Sequence, residues 1–249
     1  MQMIYRAVLF DLGHTLLDVQ LDIPWGEFLE HRLAAMCDTI CCLARIPSMD
    51  PREFATKMGE VVGGEDARTL ERSGVSWHFA DRVRTGLATL DARCSDAVTE
   101  AITKEFFDPA RARVRCYPET VNVLAALTSA GIERAIISNS PWDAPGSLSQ
   151  NDMERCGIAT YFDVVIVSGD VPWRKPNPEF MWEAARRLGV EPSECLVVGD
   201  SLRADIAGAR AAGIRCAWVK RDATEMADDD PQPDEIVASL SELSVLRQR

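Results

Sequence analysis

Three apolar runs of this chain end in side chains able to do chemistry. Val-Leu-Phe leads into Asp11, Ala-Ile-Ile into Ser138, and Leu-Val-Val-Gly into Asp200. A fourth group, Lys175, sits in Trp173-Arg174-Lys175-Pro176-Asn177-Pro178, on the loop after the apolar run 164–167. Alone, each residue has an ordinary use: an Asp or Ser after a strand caps a turn, and a Lys is a solvated surface charge. Together, two carboxylates, a hydroxyl and an ammonium suit phosphoryl transfer. A carboxylate can attack phosphorus and divide one hard hydrolysis into two easier steps, the role open to Asp11. Two anions do not approach without a cation between them. Mg²⁺ with oxygen ligands is therefore expected to join Asp11, Asp200 and the phosphate, with Asp205 orienting a metal water. Ser138, main-chain N–H groups near Leu12 and the Lys175 ammonium are the donors for the transferring group.

These residues meet only if the strands that carry them run parallel, because a parallel sheet gathers all its carboxyl ends on one edge. The pattern predicts this. Residues 4–10 read as a buried strand running into the polar cluster 11–15. After Pro118 helices (119–130, 178–188, 204–212) alternate with strands (134–137, 164–167, 195–198, 215–219), the signature of an α/β fold with right-handed crossovers. Gly131, Gly189 and Gly213 fall where helices should stop. Between 16 and 113 no clear strand is visible. Apolar spacing of three and four predicts a helix over 25–46, another opening at Pro51 after Asp50, and further helices over 77–90 and 95–107. The expected organisation is a core of residues 1–15 and 114–249 and an inserted all-helical domain of residues 16–113. The acidic stretch 222–235 reads as a solvated loop before a short strand at 236–237.

Composition narrows the partners. With 39 acidic against 27 basic residues among 249, the net charge of −12 repels nucleic acid and anionic membranes. No apolar run approaches the roughly 18 residues of a membrane span, and the N-terminus has no secretory pattern, so cytoplasmic residence is expected. The eight cysteines form no C-x-x-C pair, and Cys37, Cys41 and Cys42 stand at helical spacing among apolar residues, so reduced, packed thiols are expected. His31, Arg32, Arg45, Trp77, His78, Arg82 and Arg84 read as solvated or packing residues. Trp142, Asp143 and Trp173 either line the mouth of the site or pack.

Asp-Leu-Gly-His-Thr at 11–15, Ser138-Asn139 after a strand, Lys175-Pro176-Asn177-Pro178 and Gly199-Asp200-Ser201 followed by Asp205 resemble the four ordered motifs of the haloacid dehalogenase superfamily. The resemblance covers residues 4–15 and 114–249, and the insert is similar to that superfamily's helical C1 cap. It implies a Rossmann-like parallel sheet under a mobile lid. It further implies Asp11 as nucleophile, Ser138, Asn139 and Lys175 as substrate binders, and Asp11, the Gly13 carbonyl and Asp200 as Mg²⁺ ligands supported by Asp205. One departure matters. Phosphatases of the superfamily carry a second Asp, the general acid and base, where this chain has Gly13, and such help is typically worth roughly 10²- to 10⁴-fold. His14 is the nearest substitute; alternatively the substrate's leaving group is acidic enough to need no proton.

The expected function is an Mg²⁺-dependent phosphatase of a small phosphorylated metabolite, acting through an aspartyl-phosphate as a monomer or homodimer. Two alternatives remain open. A 2-haloacid dehalogenase would use Asp11 on carbon and tolerate Gly13, but such enzymes tend to carry an aromatic at that position and Ser-Asn where this chain has Gly199-Asp200. A pseudo-enzyme would bind a phosphorylated ligand without turning it over.

Overall fold

The computed structural model describes residues 5–19, 23–221, 223 and 225–247 of the chain. Ile4 of the expected first strand, and Asp222 and Thr224 of the acidic loop, lie outside the described residues. Strand β1 (Ala7–Phe10) is buried at every position, because it lies mid-sheet and both faces of that sheet are covered. Val8 and Phe10 pack on one face with Val123, Leu124 and Leu127, whereas Ala7 and Leu9 pack on the other with Phe180 and Met181. A strand with two dry faces has to be apolar throughout.

In chain order there follow β2 (Leu17–Val19), α1 (Trp25–Ala35), α2 (Cys37–Ala44), α3 (Pro51–Gly63), α4 (Glu65–Arg72), α5 (Phe79–Ala88), α6 (Asp96–Arg111), β3 (Val114–Cys116) and α7 (Thr120–Ser129). Then come β4 (Glu133–Ser138), α8 (Gly146–Arg155), β5 (Val164–Val167), α9 (Glu179–Leu188), β6 (Cys195–Gly199), α10 (Ala207–Ala212), β7 (Arg215–Val219) and β8 (Glu235–Val237). Six strands form one sheet in the order β5-β4-β1-β6-β7-β8, and every neighbouring pair is parallel. The chain leaves β1 in both directions, to β4 on one side and β6 on the other, which makes the crevice at its carboxyl end the natural ligand site. Phe10 is level with Ile136 of β4 and Val198 of β6. Asp11, Ser138 and Asp200 therefore emerge within one pleat of each other.

Helices α1, α2, α3, α5 and α6 share an apolar cluster, in which Phe28, Phe79, Phe106 and Phe107 pack largely edge to face. Asp50 caps α3 by accepting from the N–H groups of Arg52 and Glu53, and Ser95 caps α6 through Val98. Left-handed glycines at 131, 189 and 213 close their helices as expected.

Three features depart from the expectation. The stretch 16–113 is not wholly helical: β2 pairs antiparallel with β3, a ribbon of three residues a side, too short for its alternation to register in the sequence. The helix expected over 25–46 is two, broken at Met36 (φ −96°, ψ 0°). The bend keeps Leu33, Met36 and Ile40 buried, so the apolar period runs through it unmarked. Helix α8 is an unforeseen crossover, and among its ten residues only Gly146 and Met153 are buried.

The described cysteines are all free, and no helix among the described residues is long and apolar enough to cross a membrane. Phe106, fully buried at the centre of the aromatic cluster, sets the test of this packing. Phe106→Ala should lower the unfolding free energy by roughly 3–5 kcal/mol in urea titration. A loss below about 1 kcal/mol would mean that the ring is not packed as described.

Candidate active site

Asp11 continues β1 and is anchored by its N–H, which donates to the Val198 carbonyl at 2.8 Å. Its carboxylate accepts from Lys175 Nζ at 2.6 Å, and the same ammonium donates to Asp205 Oδ1, also at 2.6 Å. Lys175 is 3% exposed, Asp11 7% and Asp205 1%, so the three form a dry ion cluster. Asp200 closes it: ligand oxygens of Asp11, Asp200 and Asp205 lie within 4.8 Å of one another. Thr15 Oγ1 stands 3.5 Å from Asp200 Oδ1.

The loop after β6 is shaped for this. Asp205 Oδ2 accepts from the Ser201 N–H at 2.9 Å. The Ser201 carbonyl accepts from both Asp205 and Ile206, a π-type turn that draws the Asp205 side chain back over the strand end. Gly199 makes the approach possible, since a Cβ there would stand 2.2 Å from Asp205 Cγ. Both Asp205 oxygens are thus committed to protein donors.

Three carboxylates against one ammonium leave negative charge in excess. Burial, then the charges of Asp11 and Asp205, push the Asp200 carboxyl up to about 8. Burial likewise pushes Asp205 up to about 6, although Lys175 pulls it back. Burial also works against the Lys175 ammonium, but Asp11 and Asp205 outweigh it and hold it above the ordinary lysine range. Such a cluster is relieved by protons or by a hard cation with oxygen ligands. The donor set fits Mg²⁺: Asp11 and Asp200 offer carboxylate oxygens beside a fixed ammonium, and Gly13 lines the same cavity.

Above the cluster is a cavity of about 320 Å³. Its floor holds Asp11, Ser138, Lys175, Asp200 and Asp205. Its walls are largely apolar, with Trp25, Phe107, Val114 and Leu148 facing Leu17 and Val19. The sites predicted from sequence therefore converge on one cavity. Within it, Asn139 has an employment that its motif does not announce. Its carboxamide donates to the Lys175 carbonyl and accepts from the Lys175 N–H, both at 2.9 Å, so it holds the Lys175 loop. Ser138 is buried at the floor.

His14 is exposed, with left-handed backbone (φ 58°), and it lines the cavity at its rim. Gly13 has ordinary backbone, and a Cβ on it would meet only Val19 Cγ2, at 4.0 Å. The missing side chain at this position is a chemical difference with no steric cause.

Other residues of the site are invisible in the sequence. Arg221 donates to the carbonyls of His14 and Thr15 and to Glu119, and stacks 3.5 Å from the Tyr117 ring centroid. It thereby pins the loop after Asp11 from 206 residues away. Arg82, which reads as a helix-face residue, is fully buried in an ion pair with Asp143. No motif marks either one.

The comparisons agree with this geometry. The haloacid dehalogenase-like hydrolase family model matches residues 5–213, and the chain belongs to that family and is a hydrolase. It is 35% identical to the phosphoglycolate phosphatase of Neisseria gonorrhoeae over 242 residues, which cover 96% of this chain and 91% of that protein. The chain spans about half the length of the phosphoserine phosphatase of Thermus thermophilus (34% identical over 139 residues, 56% of this chain and 54% of that protein). Among solved structures it is similar to a HAD phosphatase from Thermococcus onnurineus (TM-score 0.63, 25% identity, 95% of each chain). It is also similar to a 2-haloacid dehalogenase from Pseudomonas syringae pv. tomato (TM-score 0.67, 25% identity, 98% of each chain).

Removing the shared cation isolates its contribution. Without it, the folded-state carboxyl pKa of Asp205, already raised by burial and pulled back by Lys175, rises further above that of the unfolded chain. The resulting penalty is absent below the unfolded value and grows as pH climbs from that value toward the folded one. In EDTA, Lys175→Met should therefore destabilise the fold by roughly 3–5 kcal/mol at about pH 8 and by less at about pH 5. A loss that is the same at both pH values would contradict the cluster described.

Proposed function

We propose that this hydrolase is an Mg²⁺-dependent phosphatase of a small phosphorylated metabolite, with Asp11 as nucleophile and residues 16–113 as the cap that selects the substrate. The observation that carries the reading is the buried set of Asp11, Asp200 and Asp205 around the Lys175 ammonium at the floor of the cavity. Phosphatases among the relatives support it, the Neisseria gonorrhoeae protein along nearly its whole length.

In this reading the phosphoryl group rests on the cavity floor with its oxygens toward the Lys175 ammonium and the Ser138 hydroxyl. Lys175 screens the phosphate from Asp11 and, with Asp205, fixes the attacking carboxylate. Asp11 attacks phosphorus, the phosphorus–oxygen bond to the leaving group breaks, and the leaving oxygen takes a proton from water at the cavity mouth or from His14. Water then attacks the phosphorus of the aspartyl-phosphate, giving inorganic phosphate and the original carboxylate. Asp11, Asp200 and the Gly13 carbonyl would hold Mg²⁺, which when bound would supply the positive charge that lets carboxylate and phosphate approach. Asp205 serves this set by seating Lys175 and the Ser201 N–H. With no acid at position 13, the reading favours substrates whose leaving group is already acidic, such as acyl or anomeric phosphates.

The apolar walls and Gly13 favour a second reading, halide displacement by Asp11, and a common assay separates the two. Purified protein with Mg²⁺ should release phosphate from a panel of phosphomonoesters and acyl phosphates, EDTA should stop it, and Asp11→Asn should reduce it to background. Chloride release from 2-chloropropionate that is indifferent to EDTA, with no phosphate release, would overturn the phosphatase reading. The open space at Gly13 provides a sharper test. Gly13→Asp should raise kcat on alkyl phosphates on the order of 10²-fold and change acyl phosphate turnover far less. An equal change on both classes would mean that protonation of the leaving group does not limit the enzyme.

A further inference from the structure

Two ordinary-looking loops bracket the site, and both are tied to the helical insert. Asp143, on the loop after β4, is wholly buried with left-handed backbone (φ 52°). Its carboxylate accepts from Arg82 Nη2 of α5 at 3.1 Å and from Arg174 Nη1 at 3.1 Å. Glu71 of α4 completes the circuit, lying 2.9 Å from Arg82 Nη2 and 3.3 Å from Arg174 Nη1. The result is a closed ring of two cations and two anions. Two members come from the insert, one from the loop after Ser138, and one is the residue next to Lys175.

Main-chain bonds run beside the ring. Val75, between α4 and α5, pairs antiparallel with Trp173. The Ser76 N–H donates to the Pro172 carbonyl at 3.1 Å, and the Arg174 N–H donates to the Gly74 carbonyl at 3.0 Å. Gly74 is left-handed (φ 76°), and a Cβ on it would stand 2.9 Å from Asn177 Cβ. From the opposite side Asn139 grips the Lys175 main chain. The segment that presents the Lys175 ammonium is thus held between the insert and the loop after β4.

A ring of charges with Arg82 and Asp143 fully buried and Glu71 and Arg174 partly so is a poor way to gain stability, because desolvation offsets most of the attraction; what it provides is one geometry. We propose that Asp143 and Arg174, closed into this ring by Glu71 and Arg82, are positioning residues for Lys175, so that the seating of the helical insert sets where the ammonium stands. Closure of the insert and placement of Lys175 are then a single event, since an insert that swings away must either break the ring and ladder or drag the Lys175 loop with it. For its kinetic consequence this inference rests on the phosphatase reading. For its structural consequence it does not.

The experiment compares wild type, Arg174→Met, Arg174→Lys and Gly74→Ala by melting temperature, by steady-state hydrolysis of 4-nitrophenyl phosphate with Mg²⁺, and by amide hydrogen exchange. Arg174→Met should lower the melting temperature, because the buried Asp143 keeps only Arg82 as a cation, and, well below melting, should keep its KM while kcat falls roughly 10- to 100-fold, the scale expected when a catalytic group is displaced by about 1 Å. Exchange should quicken in segments 74–76 and 172–177 alone. Arg174→Lys should recover most of the loss, because Arg174 meets both Asp143 and Glu71 through the single nitrogen Nη1, which an ammonium can replace. Gly74→Ala, acting from the insert side, should reproduce the Arg174→Met pattern and serves in its place if that variant does not fold. Wild-type kcat in Arg174→Met, or exchange unchanged in the two segments, would overturn the proposal. If wild type hydrolyses neither a phosphomonoester nor an acyl phosphate, the phosphatase reading fails and exchange alone decides: quickening confined to the two segments supports the clamp, and unchanged exchange refutes it.

Discussion

One ammonium shared by two buried carboxylates is the interaction on which the site depends. Asp11 and Asp205 are brought against the same Lys175 nitrogen in a nearly dry space, with a third carboxylate alongside. Without a cation, anions this close could not all stay ionised. With only one, the cluster is still short of positive charge, and the proposed Mg²⁺ would make up the difference. The imbalance is a property of the folded chain rather than of any substrate.

Much of the architecture can be understood as what it takes to assemble that cluster. A parallel sheet is the economical way to bring residues 11, 138 and 200 to one edge, and the register of β1 with β4 and β6 does so within a pleat. Gly199 admits the Asp205 carboxylate where any side chain would block it. The remaining partner, Lys175, comes from a loop, and a loop has no sheet register to fix it. Here Asn139 and the contacts of the helical insert supply the missing constraint. Trp142, from the loop after β4, packs into the insert's aromatic cluster against Trp25 and Phe106, so packing and charge tie the same elements together.

What could be read in the sequence divides along physical lines. The core strands were legible because both faces of each are buried, which forces unbroken apolar runs such as 7–10 and 195–198. The reactive residues were legible because they punctuate those runs. The two-strand ribbon was not, since three residues a side carry no period, and the bend at Met36 was hidden because the same face stays buried through it. The ring of Glu71, Arg82, Asp143 and Arg174 was out of reach for a different reason. Its members are ordinary charged residues whose burial depends on contacts across as many as 103 positions, and nothing in their local spacing distinguishes a buried arginine from a solvated one. Asn139 stood in the right motif, yet only geometry shows that its carboxamide serves the Lys175 main chain.

The central claim is that Asp11 itself accepts the transferred group, and the most direct measurement is to look for that group on it. Enzyme mixed with an acyl phosphate and Mg²⁺, quenched in acid within the first turnover and digested, should yield the peptide containing Asp11 with an added phosphoryl group that hydroxylamine removes. Asp11→Asn should yield none. Phosphate release proceeding with that peptide unmodified, or with the label on another residue, would contradict the account.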